Sequence, residues 1–267
     1  MTWEASRGVT ASNYCKRCKF DARTGRPDAK SRTRQRLPFT AMELAFLGTG
    51  AAFSVERYNG AVVVDRRLLF DGGAPLMPHM HRLGIDPAGI EAVFLSHFHG
   101  DHMAGLIPYL GWRGFQRTGP LPLIAPAGGE DRIDRLMSAA WGEIWESWRD
   151  ALVHVAAEPG GSVAGVRFES VRLDHGAEDG HGYRVWIDGR LFVYAGDTRA
   201  TAPLDELVRG ADVVVTEATG PGLVETHTGW EEAAALRARH PGARFFFNHL
   251  GRGEVEGAAH DLQTIRV

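Results

Sequence analysis

The sequence predicts an α/β fold of four layers, two β-sheets packed face to face between outer helices, an αββα sandwich. Three observations predict it. Short apolar runs of strand character come before helical stretches, and this order occurs in two successive sets. Histidines and aspartates recur at the ends of those runs, the rim where open α/β sheets carry ligand sites. A chain of 267 residues with 44% hydrophobic content has enough apolar surface for one large core.

The organisation begins with a contrast in charge. Residues 1–41 hold ten Lys and Arg against three Asp and Glu, whereas residues 42–267 hold twenty against thirty. All three lysines, Lys16, Lys19 and Lys30, lie in the first segment. That segment shows neither helical nor strand periodicity and reads as a disordered basic extension. Its Cys15-Lys16-Arg17-Cys18 lacks the two further ligands a zinc site needs and the strand–helix setting of a redox motif. Met42 opens the first strand, so the preceding residues are read as a start-site artefact and residues 42–267 as a single domain. The body is acidic and free of lysine, which argues against a general affinity for nucleic acid. No stretch approaches the roughly 20 apolar residues of a membrane helix. No secretory signal is visible and no disulfide framework exists, so a cytoplasmic location is expected.

The elements follow in order. Residues 43–47 form a strand that ends in the Gly48-Thr49-Gly50 turn. Residues 61–65 and 68–71 pair as a hairpin across Arg66-Arg67. The glycine pairs have no following lysine, which excludes a phosphate loop and leaves tight turning as their role. Residues 75–83 read as a helix with His79 and His81 facing solvent. Residues 92–95 are a buried strand, and 121–125 another. A long helix is expected over 129–150, with Ile133, Leu136, Met137, Ala140, Trp141, Ile144, Trp145 and Trp148 on one broad face. That face suits the core or a dimer seam better than a pocket wall, and a homodimer is expected. Strands at 153–157 and 163–173 precede a hairpin, 183–188 and 191–195, that turns at Asp188-Gly189. His154, in an apolar strand, reads as structural. After a buried strand at 213–215, Thr228 caps a helix running to Arg239, with Glu231 completing a capping box. Residues 243–248 form a last strand that delivers His249.

The chemistry concentrates in Ser96-His97-Phe98-His99-Gly100-Asp101-His102, a tight loop between a buried strand and a helix start. Imidazole and carboxylate are ligands for borderline divalent ions, zinc above all. His97 and His99 can point the same way from an extended segment. Gly100 allows a turn that aims Asp101 and His102 at a second ion.

His-x-His-x-Asp-His resembles the signature of the metallo-β-lactamase-fold hydrolases, and Gly100 makes it similar to their ribonuclease Z and phosphodiesterase branch. Seven further segments fit the same family in order: Phe46-Leu47-Gly48-Thr49-Gly50, Phe70-Asp71-Gly72-Gly73, Asp174-His175-Gly176, Tyr194-Ala195-Gly196-Asp197-Thr198, Thr216-Glu217-Ala218-Thr219, Glu225-Thr226-His227-Thr228 and Asn248-His249-Leu250. The resemblance implies two zinc ions, with Mn2+, Fe2+ or Co2+ as substitutes. It places His97, His99 and His175 on one ion, Asp101, His102 and His249 on the other, and Asp197 as the bridge. His181, in a Gly-rich stretch, is the rival for His175. Two ions about 3.5–4 Å apart would share a water whose pKa falls toward about 7. The resulting hydroxide attacks a phosphodiester, Asp101 orients it, and His227 partnered by Glu217 protonates the leaving group.

The resemblance implies as substrate either an RNA 3′ end or a small phosphodiester. Against tRNA stand the acidic body, the absence of the Gly- and Pro-rich arm of ribonucleases Z, and Leu250-Gly251-Arg252 where the family has an aromatic and a serine. The alternatives are a lactonase, thioesterase or β-lactamase acting on carboxyl carbon, and a non-catalytic metal-binding regulator. A di-iron oxygen-reducing site is disfavoured, because such sites place Glu where this chain has His99.

Overall fold

A computed structural model describes residues 41–267 apart from Leu223. The expectations for residues 1–40, the cysteine pair included, lie outside the described residues. The strands are β1 (Glu43–Gly48), β2 (Ala61–Val64), β3 (Leu68–Phe70), β4 (Ala92–Phe94), β5 (Leu121–Ala125), β6 (Leu152–Ala156), β7 (Gly161–Val163), β8 (Val166–His175), β9 (Glu178–Ile187), β10 (Arg190–Ala195), β11 (Val213–Glu217), β12 (Arg244–Asn248) and β13 (Gln263–Arg266). The helices are α1 (Leu76–Arg82), α2 (Gly100–Met103), α3 (Leu106–Gln116), α4 (Gly129–Trp141), α5 (Ala202–Val208) and α6 (Trp230–Arg239).

The strands make two sheets. One runs β13-β1-β2-β3-β4-β5-β6 and the other β12-β11-β10-β9-β8-β7. Side chains alternate along each strand, so every inner strand feeds two apolar layers. Leu44 and Phe46 of β1 point between the sheets with Phe70, Phe94, Tyr183 and Phe192, while Ala45 and Leu47 point outward onto Leu76, Leu106 and Ile133 of the helices. A third layer packs Val193 and Val214 of the second sheet against Leu204, Leu207 and Leu236 of α5 and α6. Three apolar layers between four structural ones are the αββα sandwich.

Aromatic rings fill the central layer. Phe70 and Phe94 stack with centroids 4.8 Å apart, and Phe94 meets the edges of Phe168 and Tyr183 at 5.5 and 5.3 Å. Such pairs add about 0.5–1.5 kcal/mol each beyond their buried area.

Strand direction sets the site. β3, β4 and β5 run parallel, as do β10, β11 and β12. β8 is antiparallel to β9, and β9 to β10, so β8 runs with β10. The C-terminal ends of β3, β4, β8, β10, β11 and β12 therefore share one rim. Tyr183 Oη donates to Leu95 O at 2.7 Å and His181 N to Ser96 O at 3.0 Å, which ties the two sheets together there.

Several local expectations are corrected. The helix expected over 129–150 stops at Trp141, because Gly142 takes φ 60°, and short 3-10 turns follow. The period restarts at that break, so Ile133, Met137 and Trp145 are buried while Trp141 and Ile144 are 37% and 49% exposed. The Trp141 and Trp148 rings lie against Gly111 and Gly114 of α3, where a Cβ would meet them at 2.6 and 2.5 Å. The strand expected over 163–173 starts only at Val166, because Ala164 and Gly165, at φ 50° and 73°, turn the chain between β7 and β8. His79 is buried rather than exposed; its Nδ1–H donates to Leu47 O at 2.7 Å, where the pairing of β1 with β2 slips register. α6 starts at Trp230 with Gly229 N donating to Glu232 Oε2 at 2.9 Å, one position beyond the expected cap. Thr228 is drawn away to donate to Thr198 O at 2.8 Å, and Glu231 accepts from Gly222 N at 3.1 Å. α5 and β13 were not foreseen.

Candidate active site and metal centre

The site grows from the rim. β4 ends at Phe94, and Leu95 N reaches across to Ile124 O at 2.8 Å before the chain turns out with His97 and His99. Asp101 and His102 sit on α2. Beneath them runs the turn 71–73: Gly72 N donates to His102 O at 2.6 Å, and a Cβ on Gly73 would fall 1.6 Å from Asp101 O. Only glycine lets these two backbones approach so closely. From the other sheet, His175 ends β8, Asp197 lies two residues past β10, Glu217 ends β11 and His249 follows β12.

These residues converge. His99 Nδ1 lies 3.0 Å from His97 Nε2 and 3.2 Å from His175 Nε2. Asp101 Oδ2 lies 3.2 Å from His102 Nε2 and 3.3 Å from His249 Nε2. Asp197 Oδ2 is central to both groups, 3.8 and 3.9 Å from the Nε2 atoms of His97 and His175, and 3.3 and 3.1 Å from those of His102 and His249. His97, His99 and His175 form one set of donor atoms able to hold a metal ion; Asp101, His102, Asp197 and His249 form another; Asp197, Glu217, His227 and His249 form a third, overlapping one. His181 lies apart, inside β9, with its Nδ1 2.7 Å from Ser170 Oγ.

Outer partners orient the rings. Asp71 is buried and accepts from Ser96 N at 2.7 Å, Ser96 Oγ at 2.8 Å, Tyr194 Oη at 2.8 Å and His102 Nδ1 at 2.8 Å. His175 Nδ1–H donates to Thr226 O at 2.9 Å. Each Nδ1 is engaged by its acceptor, so both rings turn Nε2 toward the centre, as in histidines that bind metals. His102 Nε2 is itself buried without a hydrogen bond, although two carboxylate oxygens stand nearby. A buried nitrogen without a partner is costly. A cation in the middle of these donors removes that cost, so the residues present fit a metal ion.

The electrostatics agree. Burial alone would raise Asp197, but His249 and His102 hold it well below the usual carboxylate range. Burial would likewise raise Asp101, and the neighbouring His102 and His249 keep it low. Against the opposing effect of burial, Asp197 with Asp101 and Glu217 pushes His249 up to about 10. His102 is raised in the same way by Asp197 and Asp71. Burial and the neighbouring His102 push His97 down.

Beside this centre stands a second pair. His227 Nδ1 is 3.0 Å from Glu217 Oε2, and the His227 ring stacks on that of His249 at 5.1 Å. Burial lowers His227, but the Glu217 bond outweighs it and the pKa is raised. Glu217 Oε1 is fixed by Thr198 N at 2.5 Å.

The sequence reading missed Asp71, Ser96, Tyr194 and Thr219. Asp71 was visible within Phe70-Asp71-Gly72-Gly73 and received no role. Ser96, Tyr194 and Thr219 likewise stand inside the quoted motifs, and their roles are not legible there because each acts by meeting residues distant in the chain.

Comparison with known proteins places the chain. Residues 42–241 match the family described as anti-Pycsar protein Apyc1. Ribonuclease Z of Geobacillus kaustophilus is 28% identical, with 78% of this chain and 88% of that protein covered. The metallo-β-lactamase-fold protein YhfI from Bacillus subtilis superposes with a TM-score of 0.70 at 18% identity, covering 85% of this chain and 100% of its own. The short form of human tRNase Z gives 0.67 at 23% identity, with 84% and 98% covered. No helix of the described residues is long and apolar enough to cross a membrane. The family match spans well over half of the sequence, and the chain belongs to the Apyc1 anti-Pycsar family and has the metallo-β-lactamase fold.

Proposed function

We propose that the protein is a dinuclear metal-dependent phosphodiesterase, with zinc the first choice of ion and a small cyclic or linear phosphodiester as substrate. His97, His99 and His175 would hold one ion, Asp101, His102 and His249 the other, with Asp197 between them. The observation that carries the reading is the position of Asp197 Oδ2, within 3.9 Å of all four Nε2 atoms of His97, His175, His102 and His249. One carboxylate oxygen set among two donor groups is what a bridging ligand requires. Bound divalent ions supply Lewis acidity toward the phosphoryl oxygens and a water of lowered pKa.

The chain's own residues do the rest. Asp101, on the exposed side of the centre beside His99, orients the attacking water and accepts its proton. His227, held by Glu217, presents its Nε2–H to the leaving oxygen. Glu217 is buried and keeps the imidazolium form available at neutral pH. Relatives named ribonuclease Z and tRNase Z support phosphodiester chemistry. The acidic, lysine-free body and the compact α4, without a protruding arm, favour a small substrate over a folded RNA. A carboxyl hydrolase would use the same centre, but the tryptophan rings that could line an apolar acyl pocket pack instead on Gly111, Gly114 and the core.

Assay of the Zn2+-loaded protein against bis-p-nitrophenyl phosphate, a cyclic mononucleotide, a 3′-extended structured RNA and a lactone panel tests the reading. Turnover of the first two is expected. Hydrolysis confined to lactones would overturn it.

A further inference from the structure

We infer that Thr219 is a positioning residue: its one hydroxyl fixes the tautomer of His249 and holds Glu217 in place for His227. The inference rests on His249 being a ligand, as proposed above. Thr219 Oγ1 contacts Glu217 Oε2 and lies 3.1 Å from His249 Nδ1. A hydroxyl has one hydrogen to give. Glu217 also accepts from Thr198 N at 2.5 Å and from His227 at 3.0 Å, so it is an ionised acceptor and takes that hydrogen. Thr219 can then offer His249 only a lone pair. His249 must carry its own hydrogen on Nδ1, so its Nε2, 3.3 Å from Asp101 Oδ2 and 3.1 Å from Asp197 Oδ2, is the nitrogen left for a metal ion.

The backbone keeps the hydroxyl in this place. Thr219 N donates to Thr228 O at 3.0 Å, and Thr219 O accepts from Gly251 N at 2.8 Å. These bonds anchor the residue between the loop that carries His227 and the turn after His249. Without the hydroxyl, His249 Nδ1–H would turn to the carboxylate of Glu217, whose Oε2 is 3.6 Å away. Reaching it would pull the carboxylate from His227. Thr219 therefore joins the leaving-group pair to the metal centre.

The test compares Thr219→Val, which keeps the shape and removes the hydroxyl, with Thr219→Ser, which keeps the hydroxyl. Each protein is loaded with Zn2+ and titrated with a chromogenic chelator, and each metal-free form is melted to check folding. The valine variant is expected to hold one Zn2+ about 10–100-fold more weakly, the size of effect typical of outer partners of metal-bound histidines. The serine variant is expected to match wild type, and valine turnover is expected to fall more for alkyl than for p-nitrophenyl esters. Wild-type retention by the valine variant would overturn the inference alone. Equal loss in both variants would also overturn it, because the hydroxyl would then be irrelevant. Failure of the wild-type chain to hold any Zn2+ would instead overturn the reading of the site on which the inference stands.

Discussion

Replacement of His227 by alanine should separate substrates by their leaving groups. The imidazole meets a carboxylate that is 1% exposed, at 3.0 Å, so its acidic form persists above the ordinary pKa of 6.5. A positioned general acid is worth about 10²–10⁴ in rate, or roughly 3–5 kcal/mol of transition-state energy. An alkyl phosphodiester needs all of that help, because an alkoxide leaves poorly. A p-nitrophenolate leaves without a proton. His227→Ala should therefore slow an alkyl ester by about 10²–10⁴ while bis-p-nitrophenyl phosphate changes little. The pH profile adds a sign: in wild type the alkyl rate falls as pH rises through the raised His227 pKa, and in the variant that basic limb disappears. Steady-state kinetics on both esters, with bound metal measured by mass spectrometry, check the argument. An equal loss on both esters refutes it. So does loss of metal from the variant, because His227 would then belong to the donor set that also contains Asp197, Glu217 and His249.

Other outcomes follow from the same geometry. Loading the metal-free protein with Zn2+ at neutral pH should release protons from His102 and His249, so calorimetry in buffers of different ionisation enthalpy should give different apparent heats; identical heats would contradict the site's electrostatics. In the metal-free protein, the stabilisation from protonated His249 is complete below pH 6.5 and lost as pH rises through about 10, which denaturant melts across that range would detect. Asp71→Ala removes the acceptor of His102 Nδ1 and of three other donors, and should weaken metal binding by about 10–100-fold or more by chelator competition. Phe94→Ala, at the centre of the ring cluster, should cost about 3–5 kcal/mol in urea unfolding; Phe53→Ser, at a side chain 96% exposed, should stay within about 0.5 kcal/mol.

What was legible in the sequence divides along physical lines. His97, His99, Asp101 and His102 are close in the chain, and their spacing expresses their geometry directly. His175, Asp197, Glu217 and His249 lie farther apart, yet each ends or follows an apolar run, and parallel strands carry run ends to one rim. The helix broken at Gly142 was misread because hydrophobic period alone does not register a residue at φ 60°. His79 was misread because its burial depends on a carbonyl of β1 that local pattern cannot reveal.

Asp71 shows why the outer partners were the hardest to foresee. Its four donors come from Ser96, Tyr194 and His102, and Tyr194 belongs to the opposite sheet, 123 residues away. A carboxylate with that many donors gains its meaning only when the two sheets close. Ser96 Oγ also lies 3.0 Å from Nδ1 of the adjacent His97, and the closure packs Ser96 against Gly196, where a Cβ would fall 2.3 Å from Ser96 Cβ. Glycine at 196 is therefore a condition for the sheets to meet at the site, and Asp197 reaches the centre because the residue before it has no side chain. The donor atoms are written in the motifs; their orientation is written in the contacts between the sheets.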